Sequence, residues 1–217
     1  MTEPDVRLVP TTIHGRILVR EARAAASRGV LVGFHGYSES AAIQIERLAA
    51  IPGGGAWTLL SIQALHNFYR GRSHDIVASW MTRQDREAAI ADNINYVDAA
   101  LESVPQGEGT RIVYAGFSQG VAMAFRSAVR GRRLGAGVIA IGGDVPPELL
   151  GDTASMFPPV LLARGEGDEW YTQPKLDADV AALTARGVAL RHLVFDGGHE
   201  WNAAASAAAG EFLASLR

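Results

Sequence analysis

Residues 111–125 read RIVYAGFSQGVAMAF. An apolar run, Arg111 to Ala115, meets a second, Val121 to Phe125, across Gly116-Phe117-Ser118-Gln119-Gly120. The first run is short and β-branched with turn residues behind it, as in a strand buried in a parallel sheet. The second is longer and rich in small residues, as in a helix. A serine at such a junction is either a helix cap or a nucleophile lifted clear of the sheet. Gly-x-Ser-x-Gly alone is weak evidence. Set between a strand and a helix it gains a mechanical reason: the turn pushes the serine hydroxyl outward, and a glycine two residues to either side lets strand and helix approach.

Outward from this turn, strand and helix patterns alternate. Ile17–Val19 and Val30–Phe34 read as strands. A helix capped by Ser38 or Ser40 runs to about Ala50, with Ile43, Leu48 and Ala49 as candidate inner positions. Ile51–Gly55 is a loop before a buried strand, Trp57–Ile62. Ile90, Ile94, Val97 and Leu101 form one helical stripe over residues 86–102, with Asp85 as its cap. Later come strands at Gly137–Ile141, Pro159–Ala163 and Ala189–Phe195, and helices at Leu176–Ala185 and Trp201–Leu216. This order predicts an α/β fold, a mostly parallel central sheet with helices on both faces, in a single domain over 1–217. One interval, residues 63–85, is too long for an ordinary connection, and long loops in compact domains are usually functional.

Bulk properties narrow the partners. The chain has 217 residues, 48% of them hydrophobic and 20% charged, which suits a globular protein with a substantial core. A formal charge of -3 argues against nucleic acid as a partner. The absence of cysteine excludes disulfide and thiolate chemistry and fits a reducing cytoplasm. The amino terminus, MTEPDVRLVP, lacks the apolar segment of a signal peptide, and no run is long enough to span a bilayer.

A serine nucleophile needs a base. His199, in Phe195-Asp196-Gly197-Gly198-His199, follows the last strand, so its loop opens on the same sheet edge as the Ser118 turn. The histidine in turn needs a carboxylate to hold its tautomer. Asp168, after Arg164-Gly165-Glu166-Gly167, is favoured because two glycines let its loop fold back; Glu166, Glu169 and Asp144 compete. Ser, Asp, His is the chain order that Gly-x-Ser-x-Gly enzymes show. Donors for a tetrahedral oxyanion would be the backbone N–H groups of Gln119 and Tyr37, the latter in the loop after Val30–Phe34. His35 in that loop reads as structural rather than catalytic.

With these residues in place the sequence resembles an α/β-hydrolase of the phospholipase/carboxylesterase branch, which includes small bacterial carboxylesterases and acyl-protein thioesterases. The resemblance rests on His35-Gly36, Gly116-Phe117-Ser118-Gln119-Gly120 and Gly197-Gly198-His199, and runs from about Val30 to Leu216. It implies Ser118, Asp168 and His199 as a triad, Tyr37 and Gln119 as oxyanion donors, and hydrolysis of small-molecule esters or thioesters without a cofactor. The chain departs from the family pattern at Ser38, where a second glycine is usual, and in Ser79-Trp80-Met81-Thr82-Arg83.

The 63–85 interval supplies Phe68, Tyr69, Arg70, Arg72 and Trp80 as candidate substrate contacts, a wall of aromatic and basic groups suited to an acidic or polar acyl group. Trp170 and Trp201, beside Asp168 and His199, join them. Rival readings are a binding protein on a retired hydrolase scaffold, and a peptidase or lyase using the same three side chains. A metal hydrolase is disfavoured because no two of the six histidines share the i, i+4 spacing of helical zinc sites.

Overall fold

A computed structural model describes residues 4–23, 27–105, 107 and 109–216, so the first three residues of the amino-terminal stretch lie outside it. Its strands are β1 (Arg16–Arg20), β2 (Val30–Phe34), β3 (Thr58–Gln63), β4 (His66–Tyr69), β5 (Ile76–Ser79), β6 (Ile112–Phe117), β7 (Gly137–Ile141), β8 (Val160–Gly165) and β9 (Leu190–Phe195). Its helices are α1 (Ala41–Ala50), α2 (Arg86–Glu102), α3 (Gln119–Arg130), the four-residue α4 (Pro147–Leu150), α5 (Gln173–Ala185) and α6 (Ala203–Ser215).

Seven strands form one sheet in the order β1-β3-β2-β6-β7-β8-β9. Only β1 runs antiparallel to its neighbour; the other pairings are parallel. Alternation along the strands explains the two-sided packing. Val30, Val32 and Phe34 of β2, Ile112 and Tyr114 of β6, and Val138 and Ala140 of β7 enter one core with Val97, Leu101, Val121, Phe125, Leu176 and Leu183 from α2, α3 and α5. Leu31, Val113, Ala115, Ile139 and Ile141 point the other way, onto Ile45 and Leu48 of α1 and Phe212 and Leu213 of α6. Each such fully buried aliphatic or aromatic side chain contributes about 1.5–3 kcal/mol by leaving water. The mostly parallel sheet covered on both faces is therefore the one expected from the alternating pattern.

Three local readings need correction. Ile43 is exposed; α1 buries Ala41, Gln44, Ile45 and the expected Leu48, with Ala49 packed beside them. Ser40 and Asp85 occupy the N-cap positions of α1 and α2, but neither side chain makes a cap hydrogen bond. Residues 63–85 are not a long loop. They hold an antiparallel hairpin, β4–β5, closed by residues 70–75 and separate from the main sheet. Four-residue strands interrupted by Arg70-Gly71-Arg72-Ser73-His74-Asp75 are too short to register as alternation in the sequence.

Candidate active site

Ser118 sits between β6 and α3 with φ 51° and ψ −121°, a backbone conformation that a residue with a Cβ adopts only under strain. The flanking glycines make that turn possible. A Cβ on Gly116 would lie 2.4 Å from the Gly120 carbonyl oxygen, and one on Gly120 would lie 2.2 Å from that of Phe34. The turn is thereby pressed onto the end of β2, the strand paired with β6 in register Phe34 to Gly116. The Ser118 N–H donates to the Ile141 carbonyl at 2.9 Å, tying the turn to β7 as well.

The structure brings Ser118, His199 and Asp168 together. His199 Nε2 is 2.8 Å from Ser118 Oγ, and His199 Nδ1 is 2.8 Å from Asp168 Oδ2. A carboxylate can only accept, so Nδ1 carries the proton and Nε2 of the neutral ring offers its lone pair to the serine hydroxyl. Asp168 is buried at 3% exposure, and its other oxygen accepts the N–H groups of Trp170 at 2.8 Å and Tyr171 at 2.9 Å. The competing acids are elsewhere: Glu166 and Glu169 are exposed, and Asp144 pairs with Lys175 at 3.0 Å.

Several supports for this arrangement went unnoticed in the sequence. Arg164, buried at the end of β8, donates to the carbonyls of Tyr171, Glu166 and Asp168 and to Gln173 Oε1, wrapping the Asp168 loop around one guanidinium. A Cβ on Gly165 would meet the Gly198 carbonyl oxygen at 2.1 Å, so the acid and histidine loops touch backbone to backbone. Gly142, with φ 66°, lies beneath the imidazole; its missing Cβ would come within 3.2 Å of His199 Cε1. Gly142-Gly143 directly after an apolar strand was the available signal. Behind the loop, the Tyr171 hydroxyl donates to Asp179 Oδ2 at 2.9 Å, which also accepts the Val145 N–H; burial pushes the Tyr171 and Asp179 groups upward from their ordinary ranges.

The two candidate oxyanion amides flank the serine turn. That of Gln119 opens α3 and precedes the first intrahelical bond. In the loop after β2, the N–H groups of Gly36, Ser38 and Glu39 are taken by Glu39 Oε2 and by the Ala78 and Gly36 carbonyls. Among the described residues the Tyr37 N–H has no acceptor. Hairpin β4–β5 braces this loop: Ala78 bridges Glu39, and the Arg70 guanidinium donates to the Ser38 carbonyl. The Gln119 side chain clasps the strand end beyond, accepting from Trp80 N–H at 2.9 Å and donating to the Met81 carbonyl at 3.0 Å.

The candidate substrate contacts divide. Phe68 packs its ring 5.6 Å from that of Tyr37, in the loop after β2. Tyr69 is exposed against His74, and Arg72 is exposed at the hairpin turn. Trp170 stands 74% exposed next to Asp168. Trp80 is a correction: it is fully buried against Phe34, with its indole N–H on the His35 carbonyl, so it belongs to the core and not to a pocket wall. Trp201 is partly buried on the α1/α6 core and donates to Ser206 Oγ. Two surface hollows, one around Asp98, Leu101 and Arg132 and one around Ser155, Phe157 and Arg186, lie at the opposite edge, where the strands begin. No described helix is long and apolar enough to cross a membrane.

A strained serine between a strand and a helix, beside a histidine–carboxylate pair at the carboxyl edge of a parallel sheet, defines an enzyme of the α/β-hydrolase class. The profile of the dienelactone hydrolase family matches residues 66–210, about two thirds of the chain, and the chain belongs to that family. No curated protein matches it in sequence. Solved structures share its fold. Esterase PE8 is 22% identical with a TM-score of 0.76, over 94% of this chain and 100% of that one. Acyl-protein thioesterase 2 of Zea mays is 16% identical at 0.72, over 94% and 99%. The Bacillus cereus carboxylesterase is 14% identical at 0.71, over 94% and 95%. These neighbours agree with the resemblance to the phospholipase/carboxylesterase branch.

Proposed function

We propose that this hydrolase cleaves small carboxylic esters or thioesters through an acyl-enzyme on Ser118. His199 Nε2 takes the hydroxyl proton as Oγ attacks the carbonyl carbon, and Asp168 steadies the imidazolium that results. The carbonyl oxygen, now an anion, accepts the N–H groups of Tyr37 and Gln119. Collapse of the tetrahedral species expels the alcohol or thiol, which leaves with the proton from His199. Water then enters and attacks the acyl carbon as it gives a proton to the same nitrogen. The second tetrahedral species collapses, the bond to Ser118 Oγ breaks, and His199 returns that proton to Oγ as the acid leaves.

The observation that carries this reading is the continuous path of hydrogen bonds, 2.8 Å from Ser118 Oγ to His199 Nε2 and 2.8 Å from His199 Nδ1 to Asp168 Oδ2. Both lengths lie within the range a proton-transfer pair needs. A fluorophosphonate probe tests it. The wild type should bind one probe per chain and hydrolyse p-nitrophenyl esters, while Ser118→Ala loses labelling and turnover together. An unlabelled wild type, or turnover that survives Ser118→Ala, removes the proposal.

A further inference from the structure

His35 lies wholly buried at the end of β2, and the mechanism above makes no use of it. Both of its ring nitrogens are committed. Nε2 lies 3.1 Å from the Ala64 N–H, which can only donate, and Nδ1 lies 2.7 Å from the Gly36 carbonyl, which can only accept. These partners allow one protonation state: neutral, with the proton on Nδ1. The backbone that carries the ring is fixed from the Trp80 side, whose indole N–H donates to the His35 carbonyl at 2.8 Å.

The carbonyl of Gly36 and the N–H of Tyr37 belong to one peptide unit. In a trans peptide the two point in opposite directions, and no cis bond occurs among the described residues. A donor fixed on the Gly36 oxygen therefore aims the Tyr37 N–H the other way and resists a flip of the plane. Polarisation through the amide also makes that N–H a stronger donor. The Glu39 N–H reaches the same oxygen at 3.3 Å, a longer contact that reinforces the shorter one.

We infer that His35 is a positioning residue for ester hydrolysis, its Nδ1–H orienting the Gly36–Tyr37 peptide so that the Tyr37 N–H faces the developing oxyanion. The inference rests on the Ser118 reading. It also separates the two halves of the imidazole: the donor half serves the reaction, and the acceptor half only seats the ring on Ala64.

Two variants keep one half each. In His35→Asn the amide nitrogen replaces Nδ1–H as a donor to Gly36. In His35→Gln the amide oxygen reaches the Ala64 N–H, and no donor faces Gly36. Expected for His35→Gln is a fall in kcat of about 10²-fold with KM within about twofold, the signature of a lost transition-state donor. His35→Asn should stay within about fivefold of the wild type in kcat, with both variants unfolding at similar temperatures. Equal losses in the two variants, or a wild-type rate in His35→Gln, overturn the assignment. Nitrogen NMR of the wild-type imidazole decides independently of any variant: a proton on Nδ1 is expected, and one on Nε2 overturns it. A wild type inert to the fluorophosphonate sinks the Ser118 reading and this one with it, whereas a reactive wild type with an unaffected His35→Gln sinks only this one.

Discussion

Gly142 shows how closely the backbone approaches the reacting groups. Its φ of 66° is left-handed, and its absent Cβ would lie 3.4 Å from both Asp168 Oδ2 and His199 Nδ1. Alanine there meets two costs: about 1–2 kcal/mol for the backbone region, and a few tenths of an ångström forced on the imidazole. Gly142→Ala should therefore lower kcat about tenfold through misplacement of His199, more than its loss of thermal stability would suggest. Steady-state kinetics beside a melting curve check this, and unchanged kcat with a lower Tm would mean that the imidazole tolerates the methyl group. At this scale the sequence was informative wherever chemistry and turn residues coincided. Ser118 stood out because a glycine lies two residues to either side, and His199 because two glycines precede it. Asp168 was favoured over Glu166, Glu169 and Asp144 because two glycines let its loop fold back, and its carboxylate does meet His199 Nδ1. Gly142 stayed hidden because its role is a contact with the distant Asp168 and His199 loops, and Arg164 because its partners are mostly backbone carbonyls of its own loop, which only the folded chain turns toward the guanidinium.

Among the elements, hairpin β4–β5 changes the reading of residues 63–85 most. Its Ala78 backbone and Arg70 guanidinium fasten the loop that carries Tyr37. The sequence suggested instead a wall that selects acidic acyl groups, and the two ideas differ in their kinetics. If Arg70 is a brace, Arg70→Ala lowers kcat several-fold for neutral and carboxylate-bearing esters alike, with KM little changed. If it meets substrate carboxylates, KM rises for the charged esters alone. Strands β2, β3, β6, β7 and β8 were legible because burial on both faces leaves largely apolar runs, and the half-exposed β9 because its residues alternate. The hairpin was not, because its outer residues are exposed and polar. α4 spans a single turn, below the length at which periodicity has meaning.

For the whole molecule, acid sensitivity follows from the loop after β2. Burial lowers the His35 pKa below its ordinary 6.5, with the nearby Arg47 in the same direction and the Gly36 hydrogen bond and Glu39 opposing. The native state thus refuses a proton that the unfolded chain accepts, so stability declines as pH falls from 6.5. Burial pushes Glu39 up, but its hydrogen-bonded pairing with Arg47 at 2.6 Å and the Gly36 N–H together bring it below its usual 4.5, adding a further loss at lower pH. Asp179 works in the opposite sense, since its raised pKa lets the native state take up a proton before the unfolded chain does. Urea midpoints should fall as pH drops below 6.5 in the wild type and fall less in His35→Asn. Parallel declines in the two proteins would place the titrating group elsewhere.

Ser118, held at φ 51°, puts durability and reactivity in opposition at a single position. Any substitution or loop repair that let that angle slide back to an ordinary value would yield a sturdier protein whose hydroxyl faces away from His199. Selection for heat resistance alone would therefore wear away the proposed nucleophile first, and a relative found with a relaxed turn here should be regarded as a hydrolase in retirement.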